Sequence, residues 1–194
     1  MPEHSTIFLE RGRVHLRAAD LLITSDTGTL EIFDPLATLL LFSIEICLKA
    51  VIVHKTGDIP LRHDIDEFLV TGVTAGLQVS SEVAVGVFMV AKPYKQHAPR
   101  YAPHSTKIQA IPPVSIMREL AEQVYERCKA LILADAAPLG FLPVSADEVR
   151  DLRERVDQAY QTQISTFDPS KVYSAEDAPP IPLGTITIMP KKTH

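Results

Sequence analysis

Residues 34–57, DPLATLLLFSIEICLKAVIVHKTG, form the longest apolar segment of the sequence and indicate the centre of the fold. Asp34 can accept free amide hydrogens as an N-cap, and Pro35 suits the first helical position because its missing N–H would be unpaired there anyway. Apolar residues then surround the helix axis almost completely, which is typical of a helix at the centre of a fold, and Gly57 ends it. The sequence therefore predicts a long central helix from Asp34 to about Lys55.

Two charged residues, Glu45 and Lys49, interrupt this apolar helix. At about 100° per residue they share a narrow polar stripe with Thr38 and Thr56. Glu45 precedes Lys49 by four residues, the favourable order for an ion pair along a helix. Charges at the centre of a membrane span are costly, so the pattern favours a buried helix in a soluble bundle. We interpret the pair as a semi-buried ion pair that fixes packing or dimer register.

The composition limits the function classes. The chain has 194 residues and a formal net charge of −5, which allows one domain plus a tail and argues against a strongly basic nucleic-acid surface. Its first residues lack the apolar core of a signal peptide, so we expect a cytoplasmic protein. Cys47 and Cys128 lie in apolar helical patterns, and no closely spaced His/Cys ligand set is present. We therefore predict neither a metal site nor a cofactor.

Further helices follow from hydrophobic periodicity. A first amphipathic helix is predicted over residues 5–23, with its apolar stripe formed by Ile7, Val14, Ala18 and Leu21. A third helix is predicted to begin near His63 and Asp64, with Asp64 and Glu67 spaced as a capping box. The β-branched stretch that follows is ambiguous, and we favour a helix from Ser81 to Ala91.

Two amphipathic helices are predicted in the second half. The first spans residues 114–136 and has the stripe Met117, Leu120, Val124, Cys128 and Leu131. The second is shorter and begins with a capping box of Ser145 and Glu148; its stripe is Val149, Leu152, Val156 and Tyr160. Between residues 92 and 113 lies a loop with five prolines and the polar residues Tyr94, His97, Arg100, Tyr101, His104 and Lys107. A long irregular connection in a compact domain is more often functional than idle.

Residues 43–69 contain sequence features that resemble a known protein family. SIEICLKAVIV at 43–53, Gly57 and RHDIDEFL at 62–69 resemble the HEPN domain family. Its helical hairpin typically reads as an apolar helix with an E-x-x-x-K-A core, a short glycine-containing loop, and then H-D-(Leu/Ile). The resemblance extends over roughly residues 5–135.

The resemblance implies an all-α fold, an up-and-down bundle of four to five helices that commonly pairs into a homodimer. We expect this bundle over residues 1–137. An appended helix over 138–167 would pack on it, and a proline-rich tail over 168–194 follows, with a short β-like run at 185–188.

Many members of the family are metal-independent endoribonucleases in toxin–antitoxin, abortive-infection or CRISPR settings. Their active site is an Arg and a His that are separated by four to six intervening residues at the start of the last core helix, and the dimer brings these residues together. Arg100 and His104 are the catalytic candidates here, but only three residues separate them and Pro103 lies between. His offers a base of near-neutral pKa and Arg a fixed cation. The alternative is that Arg100 and Tyr101 anchor the loop onto the bundle.

Other members lack that motif and bind nucleotides or serve as accessory modules. Arg62 and His63 lie at a predicted helix N-terminus, where anions bind readily. The candidate nucleotide- or RNA-binding residues are Glu45, Lys49, Arg62, His63, Tyr101 and Lys107.

These residues lead to three functional hypotheses. The first is a non-catalytic HEPN-like dimeric module that binds a nucleotide, RNA or protein partner in a stress or defence system. The second is a HEPN endoribonuclease toxin that uses Arg100 and His104, with an antitoxin or nucleotidyltransferase as partner. The third is a helical scaffold that docks a partner through residues 185–188 by strand addition. None of the three involves a membrane.

Overall fold

The computed structural model describes residues 2–24, 33–95, 113–134 and 140–166, and these residues form an all-α fold. The helices are α1 (Pro2–Thr24), α2 (Phe33–Thr56), α3 (Ile65–Thr74), α4 (Ser81–Lys95), α5 (Val114–Ile132) and α6 (Ala146–Thr166). The prediction of an all-α fold is confirmed. The predicted β-like run at 185–188 lies outside the described residues.

α2 lies at the centre of the fold. It packs against α1, α5, α3 and α4, whereas α6 packs on α3 and α4. The predicted central helix is confirmed, and it begins at Phe33, one residue before Asp34. Gly57 ends it with φ of 80°, and its N–H donates to the carbonyl of Val53 at 2.9 Å. Only glycine adopts this left-handed conformation without steric cost, so the helix stops where the sequence predicts.

One segment of the described chain, Pro35–Thr56, is long and apolar enough to cross a membrane, with a mean hydropathy of 2.3. In the fold, 78% of its most apolar window is buried by the other helices. A core helix passes the same test of length and composition, and the burial agrees with the interpretation of α2 as a core helix.

The predicted orientation of α1 is wrong. Ile7, Val14 and Leu21 face outward with exposed fractions of 46%, 59% and 71%. The face that packs on the bundle is instead the opposite one, formed by Ser5, Leu9, Gly12, Leu16 and Ala19.

The reason is the close approach of α1 and α2. The Ser43 hydroxyl of α2 donates to the carbonyl of Gly12 at 2.9 Å. A Cβ atom at position 12 would lie 2.4 Å from the Sγ of Cys47, so only glycine fits there. Hydrophobic periodicity alone favours the stripe with the larger side chains, but the small residues on the other face allow the two backbones to meet.

The predicted capping box at α3 is also wrong. α3 begins at Ile65, and Asp64 makes no side-chain capping hydrogen bond. The Glu67 carboxylate instead accepts a hydrogen bond from Nη1 of Arg153 in α6, at 2.7 Å. A charged partner from another helix has replaced the local backbone partner that the spacing suggests.

The other helix predictions are largely confirmed. The ambiguous stretch is helical over Ser81–Lys95, so Tyr94 belongs to the last turn of α4 rather than to the predicted loop. In α5, the predicted stripe residues Met117, Leu120, Val124 and Cys128 are buried, whereas Leu131 is only partly buried and the helix ends at Ile132. α6 spans Ala146–Thr166, within the predicted segment 138–167, and its capping box is present. The Ser145 N–H donates to Glu148 at 2.7 Å, and the Glu148 N–H donates to the Ser145 hydroxyl at 3.2 Å.

Candidate functional site

The buried carboxylate of Glu45 is the centre of a polar cluster inside the fold. Its Oε1 atom lies 2.9 Å from Nζ of Lys49 and 2.8 Å from Nδ1 of His63. Its Oε2 atom accepts a hydrogen bond from the Tyr94 hydroxyl at 2.7 Å. A buried carboxylate needs such partners because it loses its hydration shell, and charge-assisted hydrogen bonds are stronger than neutral ones.

Three elements bring these four residues together. Glu45 and Lys49 lie one turn apart on α2, so their pairing follows from helix geometry. His63 comes from the linker between α2 and α3, which begins at Gly57, and Tyr94 comes from the end of α4. The structure therefore joins three of the residues selected from the sequence and adds Tyr94, which no spacing in the sequence connects to Glu45.

Aromatic rings surround the cluster. Nζ of Lys49 lies 5.3 Å from the centroid of the Phe68 ring, within range of a cation–π interaction. Phe42 packs edge-on against Tyr94 with ring centroids 6.2 Å apart, and the centroid of the His15 ring lies 5.8 Å from that of Phe42. The Glu45–Lys49 pair is itself buried, and burial strengthens the electrostatic attraction between the two groups.

The exposure of the four side chains indicates what the cluster can do. Glu45 is 2% exposed and Lys49 9%, whereas His63 is 61% exposed. His63 is thus the solvent-exposed member of the cluster, and the neighbouring residue Arg62 is also exposed. Both oxygens of Glu45 are engaged by side chains of the same chain. This arrangement is better suited to holding α2, α4 and the linker together than to catalysing a reaction.

The remaining sequence-derived site residues are Arg100, Tyr101, His104 and Lys107. All four lie outside the described residues. The Arg100–His104 hypothesis therefore remains a prediction from the sequence.

A second buried carboxylate, Asp66 of α3, attaches α6 to the bundle. Arg153 of α6 donates to its Oδ2 atom from Nη2 at 2.9 Å and from Nε at 3.2 Å. Lys92 of α4 lies 3.6 Å from the same oxygen and also pairs with Asp157 of α6. Sequence reasoning missed this cluster, because its charges come from three helices and share no spacing signal.

Both cysteines are fully buried and free. Burial raises the pKa of the Cys47 thiol to about 12, and it raises that of Cys128 well above its usual value, with a further contribution from nearby Cys47. A thiol that stays protonated is a poor nucleophile and a poor metal ligand. Across the described residues, no group of three or more His, Cys, Asp or Glu side chains is placed to hold a metal ion.

Comparison with known proteins gives no relative. No family model, curated protein or solved structure matches the chain.

Proposed function

We propose that this chain is a non-catalytic, HEPN-like module that acts by self-association into a homodimer and by binding a protein partner. The observation that carries the proposal is the outward apolar stripe of α1, formed by Ile7, Val14 and Leu21. Single exposed apolar residues are ordinary on a protein surface, but three at seven-residue spacing lie on one side of the helix and form an apolar row that a partner can cover.

The interior supports a structural role for the Glu45–Lys49 pair rather than a ligand-binding one. The Glu45–Lys49 pair, which carries the resemblance to the family, is held in the core with its charges satisfied by the chain itself. The net charge of −5 also disfavours a surface for non-specific RNA binding. We therefore favour a protein over RNA as the binding partner of this chain.

Light scattering coupled to size-exclusion chromatography tests the self-association. We expect the measured molar mass of the full chain to be twice its monomer mass of 21.4 kDa at micromolar concentration. A mass of one chain at every concentration up to the millimolar range would refute the proposal.

An RNA cleavage assay separates the proposal from the endoribonuclease hypothesis. We expect single-stranded RNA to remain intact after incubation with the protein in EDTA. Cleavage that disappears in His104→Ala would refute the proposal and support the endoribonuclease hypothesis.

Thermal unfolding in the presence of common nucleotides tests nucleotide binding, because a nucleotide that binds the native state raises the melting temperature. We expect no rise, and a rise would favour nucleotide binding instead.

A further inference from the structure

The outer face of α1 has the geometry of a helix-pairing surface. At about 100° per residue, Ile7 and Leu21 lie within about 20° of Val14 on either side, so the three side chains form one straight seam. The seam runs for about 21 Å along the helix at a rise of about 1.5 Å per residue. All three residues are exposed. We call this set the α1 seam.

We propose that two copies of the chain pair through the α1 seam in antiparallel orientation, around a two-fold axis at Val14. This inference rests on the proposed homodimer and specifies its interface. A two-fold axis at that point places Val14 against the partner's Val14 and Ile7 against the partner's Leu21. The interface is isologous, so each copy uses the same surface and the contact closes after two chains.

Charges beside the seam complement each other in this orientation. Glu10 and Arg17 are exposed and lie on the same flank, about 40° and 60° from Val14. Antiparallel pairing sets Glu10 opposite the partner's Arg17, with a difference of about 1.5 Å along the axis, and the symmetry repeats the pair. On the other flank, Arg11 faces the partner's Ala18, so like charges do not meet there.

Glu10 already forms an exposed ion pair with Arg13 in the same helix, at 2.7 Å. Such exposed pairs contribute little to stability, so Glu10 can turn to the partner at small cost. Charges at these flanking positions mainly select partner and orientation, while the apolar seam supplies the affinity.

Parallel pairing is disfavoured by Glu3. This residue is exposed and lies on the line of the seam, four positions before Ile7. In a parallel dimer, Glu3 would stand directly opposite the partner's Glu3 within the seam, and both helix dipoles would point the same way. Both effects are repulsive, whereas antiparallel pairing avoids the first and makes the dipole interaction favourable.

Val14→Glu tests the position of the interface. Val14 is exposed in the single chain, so the variant should fold with an unchanged melting profile at concentrations where both proteins are monomeric. At the two-fold axis, however, two glutamates would meet, and we expect the dimer dissociation constant to rise by about 100-fold or more. Leu142→Glu is the matched control, since Leu142 is 90% exposed and is not part of α1. It should leave the dimer unchanged.

Cysteine cross-linking tests the orientation. Under mild oxidation, Val14→Cys should form a disulfide-linked dimer, and Ile7→Cys mixed with Leu21→Cys should form the heterodimer. Ile7→Cys alone should not cross-link efficiently. The unsubstituted chain is the control, because its own thiols are buried. Efficient cross-linking of Ile7→Cys alone would overturn the antiparallel orientation.

A charge exchange tests the flanking pairs. We expect Glu10→Arg to weaken the dimer and Glu10→Arg with Arg17→Glu to restore it. The outcomes separate the two proposals. A stable dimer that Val14→Glu does not weaken would overturn this inference and leave the proposed function standing, whereas a chain that never dimerises would overturn both.

Discussion

Glu45 and Asp66 are both buried carboxylates, with side-chain exposures of 2% and 3%, yet they are stabilised in different ways. The cation of Glu45 lies one turn away on the same helix. The cations of Asp66 come from two other helices, through Lys92 of α4 and Arg153 of α6. The first carboxylate thus stabilises the centre of the bundle, while the second joins the bundle to its last helix.

The two sites also differ in how well their cations would be compensated if the carboxylate were removed. Lys49 is 9% exposed and packs against Phe68, so water solvates its ammonium group poorly. Arg153 is 27% exposed and keeps Glu67 as a second partner, and Lys92 keeps Asp157. A buried ion pair is costly to break mainly because the remaining charge is left uncompensated. The difference in exposure therefore predicts a difference in stability.

The largest effect is expected for Glu45→Ala. Loss of the carboxylate leaves the Lys49 ammonium uncompensated in the core and removes the acceptor of the Tyr94 hydroxyl. We expect the free energy of unfolding to fall by about 3–5 kcal/mol, measured by urea denaturation. The matched control is Glu126→Ala, which removes an exposed partner of Lys129 and should cost less than about 1 kcal/mol. Equal losses in the two variants would contradict a structural role for Glu45.

A smaller and more local effect is expected for Asp66→Ala. Arg153 and Lys92 retain other acceptors, so we expect a loss of about 1–3 kcal/mol. The amide hydrogens of α6 should then exchange faster while those of α2 remain protected, as measured by hydrogen–deuterium exchange. Equal loss of protection in both helices would show that Asp66 supports the whole fold rather than the attachment of α6.

The smallest effect is expected for Tyr94→Phe. This change removes one hydrogen bond to Glu45 but keeps the ring against Phe42 and the ion pair with Lys49. We expect a loss of about 1–2 kcal/mol in the free energy of unfolding, measured alongside Glu45→Ala. A loss as large as that of Glu45→Ala would mean that the ion pair contributes little beyond the Tyr94 hydrogen bond.

Local signals in the sequence predict much of this fold. Gly57 ends α2 because the left-handed backbone conformation there costs glycine nothing, and Ser145 with Glu148 caps α6 because both partners lie within four residues. Asp64 and Glu67 have the same spacing as that capping box, yet they do not form one. The difference is that Arg153 from α6 reaches Glu67, and no local pattern contains that information.

The candidate site divides in the same way. Glu45 and Lys49 could be paired from the sequence because helix geometry brings residues i and i+4 together. Tyr94 could not be found, because it lies 49 residues from Glu45 and meets it only when α4 packs on α2.

Local sequence signals are sufficient to predict the helices of the described residues, the end of α2 and the pairing of Glu45 with Lys49, since each depends on interactions within a few residues. The buried face of α1, in contrast, depends on how the helices pack against each other. α1 has two faces that a core could accept, and the contact of Gly12 with Cys47 and Ser43 selected the one with small residues. The other face, with Ile7, Val14 and Leu21, is exposed to solvent.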